Sequence, residues 1–198
     1  MINYIIKLFF RDKKFTYIAV SKSSSLFCFG NTNSLLIPNG VNYKDYIYKE
    51  DEKIKYRKKY NIDSKKIVIE NIGRMEAQKN QFFLIDIFNE LLKLNDNYFL
   101  VLVGEGKIYK KIKNKINKLS LNEKVLIFKY RNDINKFINM FDIYLFPSLF
   151  EGFGITLIEN QINNKIVFTS LGITNEIKIS NNIYFLPLNK SSKFWADK

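Results

Sequence analysis

The sequence predicts an α/β fold in which helices cover both faces of a doubly wound, Rossmann-like parallel sheet. From residue 67 onward, six apolar runs of strand length alternate with segments of helical periodicity. Such alternation is typical of parallel sheets whose strands are joined by helices. With 198 residues, 46% of them hydrophobic, the chain is long and apolar enough for one folded domain and a shorter additional segment.

The individual strands and helices follow from local periodicity and turn residues. Two short strands come first, Phe15–Val20 and Leu35–Ile37, with a helix at Lys22–Phe29 between them. The six predicted strands of the main sheet are Ile67–Ile72, Phe99–Val103, Val125–Phe128, Ile143–Phe146, Ile166–Thr169 and Tyr184–Leu186. The other predicted helices are Asp51–Tyr60, Gln81–Leu94 and Lys107–Leu119.

The chain divides into two unequal parts near residue 42. Residues 43–198 contain all six strands of the main sheet and form a complete domain. Residues 1–42 offer too few elements to bury a core, and Pro38, Asn39 and Gly40 mark a turn or an interdomain boundary. We therefore interpret residues 1–42 as the remnant of a preceding domain together with a linker.

Lysine and arginine give the chain a formal net charge of +13. A field of this sign attracts phosphate-bearing ligands, nucleic acid or an anionic membrane, without choosing among them. Many lysines lie on the Lys107–Leu119 helix, where Ile112 and Ile116 form an apolar face, so these lysines are most simply its solvated face. No recognised nucleic-acid-binding module accompanies the charge, and nucleic acid is not an expected partner.

The cysteine and histidine counts exclude several kinds of chemistry. One cysteine, Cys28, permits no intramolecular disulfide framework, and we expect it to be a small buried apolar residue. The absence of histidine excludes serine–histidine and cysteine–histidine catalysis by this chain alone. Neither a secretory signal nor an apolar run of about 18 residues is apparent, so we expect a cytoplasmic protein, with peripheral membrane contact left open.

A first polar loop follows the strand Ile67–Ile72. Gly73 allows a sharp turn and a close approach of ligand to backbone, while Arg74 and Lys79 place two cations on the loop and the start of the next helix. A guanidinium fork and an ammonium group suit a diphosphate. The loop therefore predicts a phosphate-binding site.

A second loop, residues 147–159, follows the strand Ile143–Phe146. Gly152 and Gly154 free the backbone, so that the N–H groups of residues 153–155 begin a helix that attracts an anion. Glu151 lies in this loop and Glu159 on the helix. Their carboxylates are suitable acceptors for the sugar and ribose hydroxyl groups that flank a diphosphate.

The strand order of the predicted fold brings the two loops together. In the order 3-2-1-4-5-6, strands one and four are neighbours at the switch point, where ligands bind beyond the carboxyl ends of the strands. Both loops follow these two strands, and Gly104 and Gly106, after strand two, border the same crevice. The sequence thus predicts one binding crevice built from three loops.

These motifs together resemble the C-terminal half of family 4 glycosyltransferases of the GT-B architecture. The resemblance rests on residues 73–79, residues 103–106, residues 146–148 and the pair Glu151 and Glu159, and it covers nearly all of the chain. Ser21, Lys22 and residues 37–41 resemble the end of the N-terminal domain and the interdomain linker. Residues 130–150 and the Glu159 helix look most like the branch that acts in capsular or exopolysaccharide assembly.

The resemblance implies a retaining transfer of a hexose from a nucleoside diphosphate sugar to a glycan or lipid-linked acceptor, without a required metal or other cofactor. It implies catalytic roles for Arg74, Lys79 and Glu151. It implies donor binding by Gly73, Gly104, Phe128, Tyr130, Gly152, Phe153, Gly154, Ile155 and Glu159. A separately encoded N-terminal domain is then an expected partner, since that domain normally supplies the acceptor site.

A second interpretation stays open at this point. The chain is then a noncatalytic remnant that binds nucleotides or an anionic membrane through its basic charge. Strong, salt-sensitive binding to anionic lipid without a preference for nucleotide sugars would favour it.

Overall fold

The computed structural model of the protein describes residues 16–30 and 33–198. The strands in this part are β1 Ile18–Ala19, β2 Leu35–Leu36, β3 Ile67–Ile72, β4 Tyr98–Val103, β5 Val125–Phe128, β6 Ile143–Phe146, β7 Ile166–Ser170 and β8 Ile183–Leu186. The α-helices are α1 Lys22–Phe29, α2 Glu50–Lys59, α3 Gln81–Leu94, α4 Tyr109–Lys118, α5 Ile134–Phe137, α6 Ile155–Ile162 and α7 Ser192–Ala196. All six predicted strands of the main sheet are present.

Strands β3 to β8 form one sheet in which every pairing is parallel. The strand order is β5-β4-β3-β6-β7-β8, which is 3-2-1-4-5-6 when β3 is counted as strand one. The predicted doubly wound α/β fold is therefore confirmed. Strands β3 and β6 are neighbours, with Glu70 aligned with Tyr144, and their carboxyl ends meet at the switch point.

Apolar side chains are buried on both faces of the sheet, as expected for parallel strands between two helical layers. On one face, Ile69 and Leu102 pack with residues of α3, α4 and α7. On the other face, Val68 and Val101 pack with residues of α2, α5 and the turn that follows α5. Helix α6 covers Tyr144 and Phe146 on β6. The core thus holds β3 and β6, and with them the two polar loops, in a fixed relative position.

The described residues before residue 43 form a small unit of β1, α1 and β2. Strands β1 and β2 pair in parallel, and Ser21 caps α1 through its side chain. The predicted strand Phe15–Val20 is present only as Ile18–Ala19, and Phe15 lies outside the described residues. The expectation that Cys28 is buried is wrong: its side chain is exposed. Two short strands cannot cover α1, whose only buried residue is Ser25.

Residues 16–30 and 33–198 contain neither a membrane-spanning helix nor a cluster of metal-binding side chains. None of their helices is both long and apolar enough to cross a lipid bilayer. These residues also bring together no group of three or more His, Cys, Asp or Glu side chains able to hold a metal ion.

Candidate nucleotide-binding and catalytic site

The loops that follow β3 and β6 are joined directly by hydrogen bonds. The backbone N–H of Leu149 donates to the carbonyl of Gln78 at 2.8 Å. The Gln78 side chain donates to the carbonyl of Phe150 at 2.8 Å, and Asn80 donates to the carbonyl of Pro147 at 3.1 Å. The two predicted motifs therefore form one structural unit at the switch point of the sheet.

Lys79 and Glu151, one from each loop, form an ion pair at the bottom of this crevice. The Lys79 Nζ lies 2.7 Å from Glu151 Oε1, and the two side chains are only 16% and 10% exposed. The ammonium group also lies 4.9 Å from the centre of the Phe146 ring. These contacts hold the ammonium in place, while a lysine has three N–H donors and can still donate to a ligand.

Arg74 presents a second cation at the mouth of the crevice. Its side chain is 76% exposed, and its contact with Glu76 is long, at 3.8 Å. Exposed ion pairs of this kind contribute little to the stability of a fold. The backbone of Arg74 is more firmly held than its side chain, because the Gln81 side chain donates a hydrogen bond to the Arg74 carbonyl at 3.0 Å. The guanidinium group is thus available to an anionic ligand.

A cavity of about 410 Å³ opens beside Arg74. It is lined by Ile72, Gly73, Arg74, Val103, Gly104, Glu105, Tyr130, Arg131, Asn132 and Ile134. Gly104 has φ of +144°, and a Cβ atom there would lie 2.0 Å from the carbonyl oxygen of Gly73. A glycine is therefore required where the loops after β3 and β4 meet, because the backbones of the two loops approach each other closely there.

Phe128 and Tyr130 occupy different environments at the end of β5. Tyr130 is exposed and lines the cavity. The ring of Phe128 instead packs 4.8 Å from Tyr60 and 5.2 Å from Phe137, while its carbonyl accepts a bond from the Gly104 N–H at 2.9 Å. Phe128 thus supports the wall of the cavity and is not among the residues that line it.

Arg131 is a cavity residue that sequence reasoning missed. Its guanidinium group donates to both carboxylate oxygens of Asp133, at 2.8 and 2.7 Å, and to the Tyr60 hydroxyl at 2.9 Å. It also lies 3.9 Å from the centre of the Phe137 ring. The sequence signal that could have identified Arg131 was its position, because residues 131–134 lie shortly after β5, at the carboxyl edge of the sheet.

Helix α6 begins at Ile155, directly after the glycine-rich part of the second loop. Gly154 has φ of +81°, which a residue with a side chain adopts only with strain. Phe153 is buried in the core, so its ring is not available to a ligand. The Gly152 carbonyl accepts a 2.6 Å hydrogen bond from the Ser21 hydroxyl. The first N–H groups of α6 have no partner within the helix and favour an anion.

Glu159 lies in the second turn of α6 and is half-buried. Burial raises the pKa of its carboxyl, and a hydrogen bond with the Tyr46 side chain opposes this rise. Tyr46 carries no sequence signal that would place it near Glu159. Glu159 is therefore a partly desolvated acceptor that already has one protein partner.

Two buried ionisable side chains that sequence reasoning missed, Glu70 and Lys165, lie within the domain. Glu70 on β3 is fully buried, and neither carboxylate oxygen has a hydrogen-bond partner among the described residues. Burial raises the pKa of Glu70 well above its ordinary value, against the opposing charge of Lys165. Burial likewise lowers the pKa of Lys165 to about 8, against the charge of Glu70. The one sequence signal was a glutamate inside a strand that is apolar apart from Glu70 and Asn71.

This sheet order, with these loops at the switch point, is the fold of a GT-B glycosyltransferase domain. The crystal structure of Anabaena HepE in complex with UDP and glucose matches 92% of this chain and 51% of HepE, with a TM-score of 0.80 and 20% identity. A glycosyltransferase from Rickettsia africae matches 98% of this chain and 55% of its own, with a TM-score of 0.79 and 23% identity. The chain belongs to the family of glycosyl transferases group 1, whose sequence model matches residues 52–182.

Curated relatives include two bacterial glycosyltransferases. The putative glycosyltransferase EpsF of Bacillus subtilis is 24% identical over 185 residues, which cover 90% of this chain and 48% of EpsF. The Escherichia coli UDP-Gal:alpha-D-GlcNAc-diphosphoundecaprenol alpha-1,3-galactosyltransferase is 29% identical over 133 residues, which cover 64% of this chain and 33% of that enzyme. The chain thus matches half or less of the length of each. The predicted membership of a glycosyltransferase family is confirmed.

Proposed function

We propose that this chain supplies the donor site for transfer of a hexose from a nucleoside diphosphate sugar, with retention of the anomeric configuration. The observation that carries the proposal is the convergence of Arg74, Lys79 and the start of α6 on one crevice beside the 410 Å³ cavity. Two cations and a helix N-terminus match the charge of a diphosphate. The cavity has the size of a site for a small organic group such as a base.

Each part of the donor has a proposed partner in the site. The base occupies the cavity lined by Gly73, Gly104 and Tyr130. Glu159 accepts hydrogen bonds from the ribose hydroxyls, and Glu151 accepts them from the hexose. The N–H groups of residues 153–155, together with Arg74 and Lys79, bind the diphosphate between them.

The proposed chemistry follows from the charge that develops on the leaving group. The bond between the anomeric carbon and the phosphate oxygen breaks, and negative charge grows on the departing nucleoside diphosphate. Arg74 and Lys79 stabilise that charge more strongly than the charge of the intact donor. The proposal requires no metal ion. Glu151 is already paired with Lys79 at 2.7 Å, so we assign it a role in orienting the sugar and not in attacking it.

We further propose that an N-terminal domain completes the enzyme and binds a glycan or lipid-linked acceptor. The small unit before residue 43 exposes apolar side chains that such a domain would cover, namely Ile18, Leu26, Phe27, Leu35 and Ile37. The name of the Escherichia coli relative includes a diphosphoundecaprenol-linked acceptor, which supports a lipid-linked substrate here. The charge of +13 supports contact with the anionic inner face of a membrane. We also propose that the protein is cytoplasmic and that it acts in surface polysaccharide synthesis as a member of family 4.

Calorimetric titration of the purified chain with UDP, GDP and their hexose conjugates tests the donor site. We expect saturable binding of one nucleotide. Arg74→Ala should weaken that binding by roughly tenfold or more, because a charge-assisted bond to phosphate contributes about 1.5–3 kcal/mol and each 1.4 kcal/mol is tenfold in affinity.

Lys111→Ala is the matched control, since it removes one positive charge from the exposed face of α4. It should leave nucleotide affinity unchanged. Equal weakening by both variants, together with salt-sensitive binding to anionic vesicles, would support the interpretation of a noncatalytic, charge-driven module. No binding of any nucleotide would exclude the proposed donor site.

A further inference from the structure

The peptide unit between Gly152 and Phe153 is held by a residue from the segment before residue 43. Ser21 is only 2% exposed, and its hydroxyl donates to the Gly152 carbonyl at 2.6 Å. A serine hydroxyl has one proton, and this carbonyl is its nearest acceptor, since the hydroxyl oxygens of Ser23 and Ser24 both lie 3.0 Å away. The contact therefore joins the start of α1 to the second loop across 131 positions of the chain.

Apart from that bond, little fixes the orientation of this peptide unit. A Cβ atom at Gly152 would meet nothing within 4 Å, and glycine permits a wide range of backbone angles. Among the described residues, the bond from Ser21 is the one hydrogen bond made by the Gly152 carbonyl or the Phe153 N–H. The Ser21 hydroxyl thus selects one orientation of the peptide unit.

The orientation of the Gly152 carbonyl sets the direction of the Phe153 N–H. In a planar trans peptide the C=O and N–H groups point in opposite directions. The described residues contain no cis peptide bond, so a carbonyl that points to Ser21 directs the Phe153 N–H away from Ser21. The hydrogen bond to the carbonyl also polarises the N–H of the same peptide unit, which strengthens the bond that this N–H donates.

We propose that Ser21 is a positioning residue of the phosphate site, whose hydroxyl directs the Phe153 N–H toward the donor diphosphate. The inference rests on the proposed function and deepens it. A donor that is already oriented binds its ligand more tightly, because no conformational freedom of the loop is lost on binding. Affinity for the diphosphate then depends on how the segment before residue 43 lies against the second loop.

Calorimetric titration of the whole chain with UDP and GDP tests the inference on the nucleotide that the chain prefers. Ser21→Ala removes the hydroxyl, and we expect it to weaken binding by about threefold to tenfold, the range of one hydrogen bond. Ser21→Thr retains a hydroxyl, so its affinity should stay within about twofold of the parent. Amide NMR spectra give a second measurement: the Phe153 amide proton should shift on nucleotide binding in the parent, and by less in Ser21→Ala.

Ser24→Ala is the matched control. Ser21 and Ser24 form the capping box of α1, in which each side chain accepts the backbone N–H of the other at 3.0 Å, so both alanine variants weaken this cap. Of the two, only Ser21 bonds to Gly152, and Ser24→Ala should leave affinity within about twofold of the parent. Equal weakening by the two alanine variants, or none by Ser21→Ala, overturns the inference alone. Failure of the unmodified chain to bind either nucleotide overturns the proposed function as well.

Discussion

Asp142 connects α2 to the start of the central strand through three donors. Its carboxylate accepts bonds from Arg57 at 2.6 Å, Lys53 at 3.0 Å and the Val68 N–H at 2.8 Å. Arg57 is only 5% exposed, so its buried positive charge needs Asp142 as a counter-charge. Burial by itself would raise the pKa of Asp142, but the bonds from Val68 and Lys53 and the charge of Arg57 hold that pKa below its ordinary value.

Asp142→Asn should destabilise the fold by about 3 kcal/mol at pH 7, because it leaves Arg57 buried without a counter-charge. A lowered pKa means that the ionised group stabilises the fold above its unfolded pKa, near 3.9, and that this stability is lost as pH falls through the folded pKa. Urea unfolding at pH 7 and pH 3 measures the effect, and the difference between variant and parent should shrink at pH 3. An equal difference at both pH values would contradict this account.

The effect of pH on stability through Glu70 is opposite in direction to the effect through Asp142. Because burial raises its pKa in the folded state, the group has no ionisation penalty below the unfolded pKa near 4.3, and it reduces stability as pH rises above that value. Glu70→Gln removes the titration. The stability of this variant relative to the parent should therefore increase between pH 4 and pH 8, as measured by urea unfolding. Glu123→Gln, at an exposed position, serves as the control and should show no such trend.

At the scale of elements, the loops depend on close backbone approach at particular glycines. A Cβ at Gly104 would collide with Gly73, and one at Gly106 would lie 2.3 Å from the carbonyl oxygen of Met75. In contrast, a Cβ at Gly152 would meet nothing within 4 Å, and Gly152 has no positive φ. Glycines in neighbouring loops of the same crevice thus have different structural requirements.

Gly104→Ala should therefore destabilise the chain by more than about 3 kcal/mol, since backbone atoms must move to admit the methyl group. Gly152→Ala should change stability by less than about 0.5 kcal/mol. Thermal unfolding of the two variants measures the contrast. Similar stability losses would show that the loops after β3 and β4 adjust their spacing freely.

At the scale of the whole molecule, the described residues before residue 43, namely 16–30 and 33–42, have few contacts with the main domain. Ser21 bonds to the Gly152 carbonyl, the Lys22 N–H donates to Glu176 at 3.1 Å, and the Phe27 ring stacks on Phe150 at 6.4 Å. By comparison, α7 at the other end is part of the core: Trp195 is 4% exposed and packs on Phe83. The proposed boundary between residues 42 and 43 can therefore be tested by truncation.

A chain of residues 43–198 should remain folded, with a thermal midpoint within about 5 °C of the parent. Its backbone amides at residues 150–152 should exchange with solvent faster, because the contacts from Ser21 and Phe27 are absent. A chain of residues 1–190 is the control, and it should lose far more stability because α7 is removed from the core. Unfolding of the 43–198 chain would contradict the proposed boundary.

The observed sheet order is the common order of the doubly wound fold class. The sequence alone determined the strands of the main sheet and the longer helices. These follow from local patterns, since the spacing of apolar residues records which face of each element is buried. Gly73, Gly104 and Gly154 were predictable for a similar reason, because a sharp turn or a close approach has few acceptable residues. The switch-point rule then brought the loops after β3 and β6 together.

Only the tertiary structure decided which side chains meet across these elements. Lys79 pairs with Glu151 across 72 positions, and Asn163 holds Tyr46 across 117. No sequence pattern marked Glu70 or Lys165 as buried charges, yet both are buried in the folded domain. Periodicity reports the solvent exposure of one element at a time, whereas these contacts depend on how far and at what angle separate elements pack.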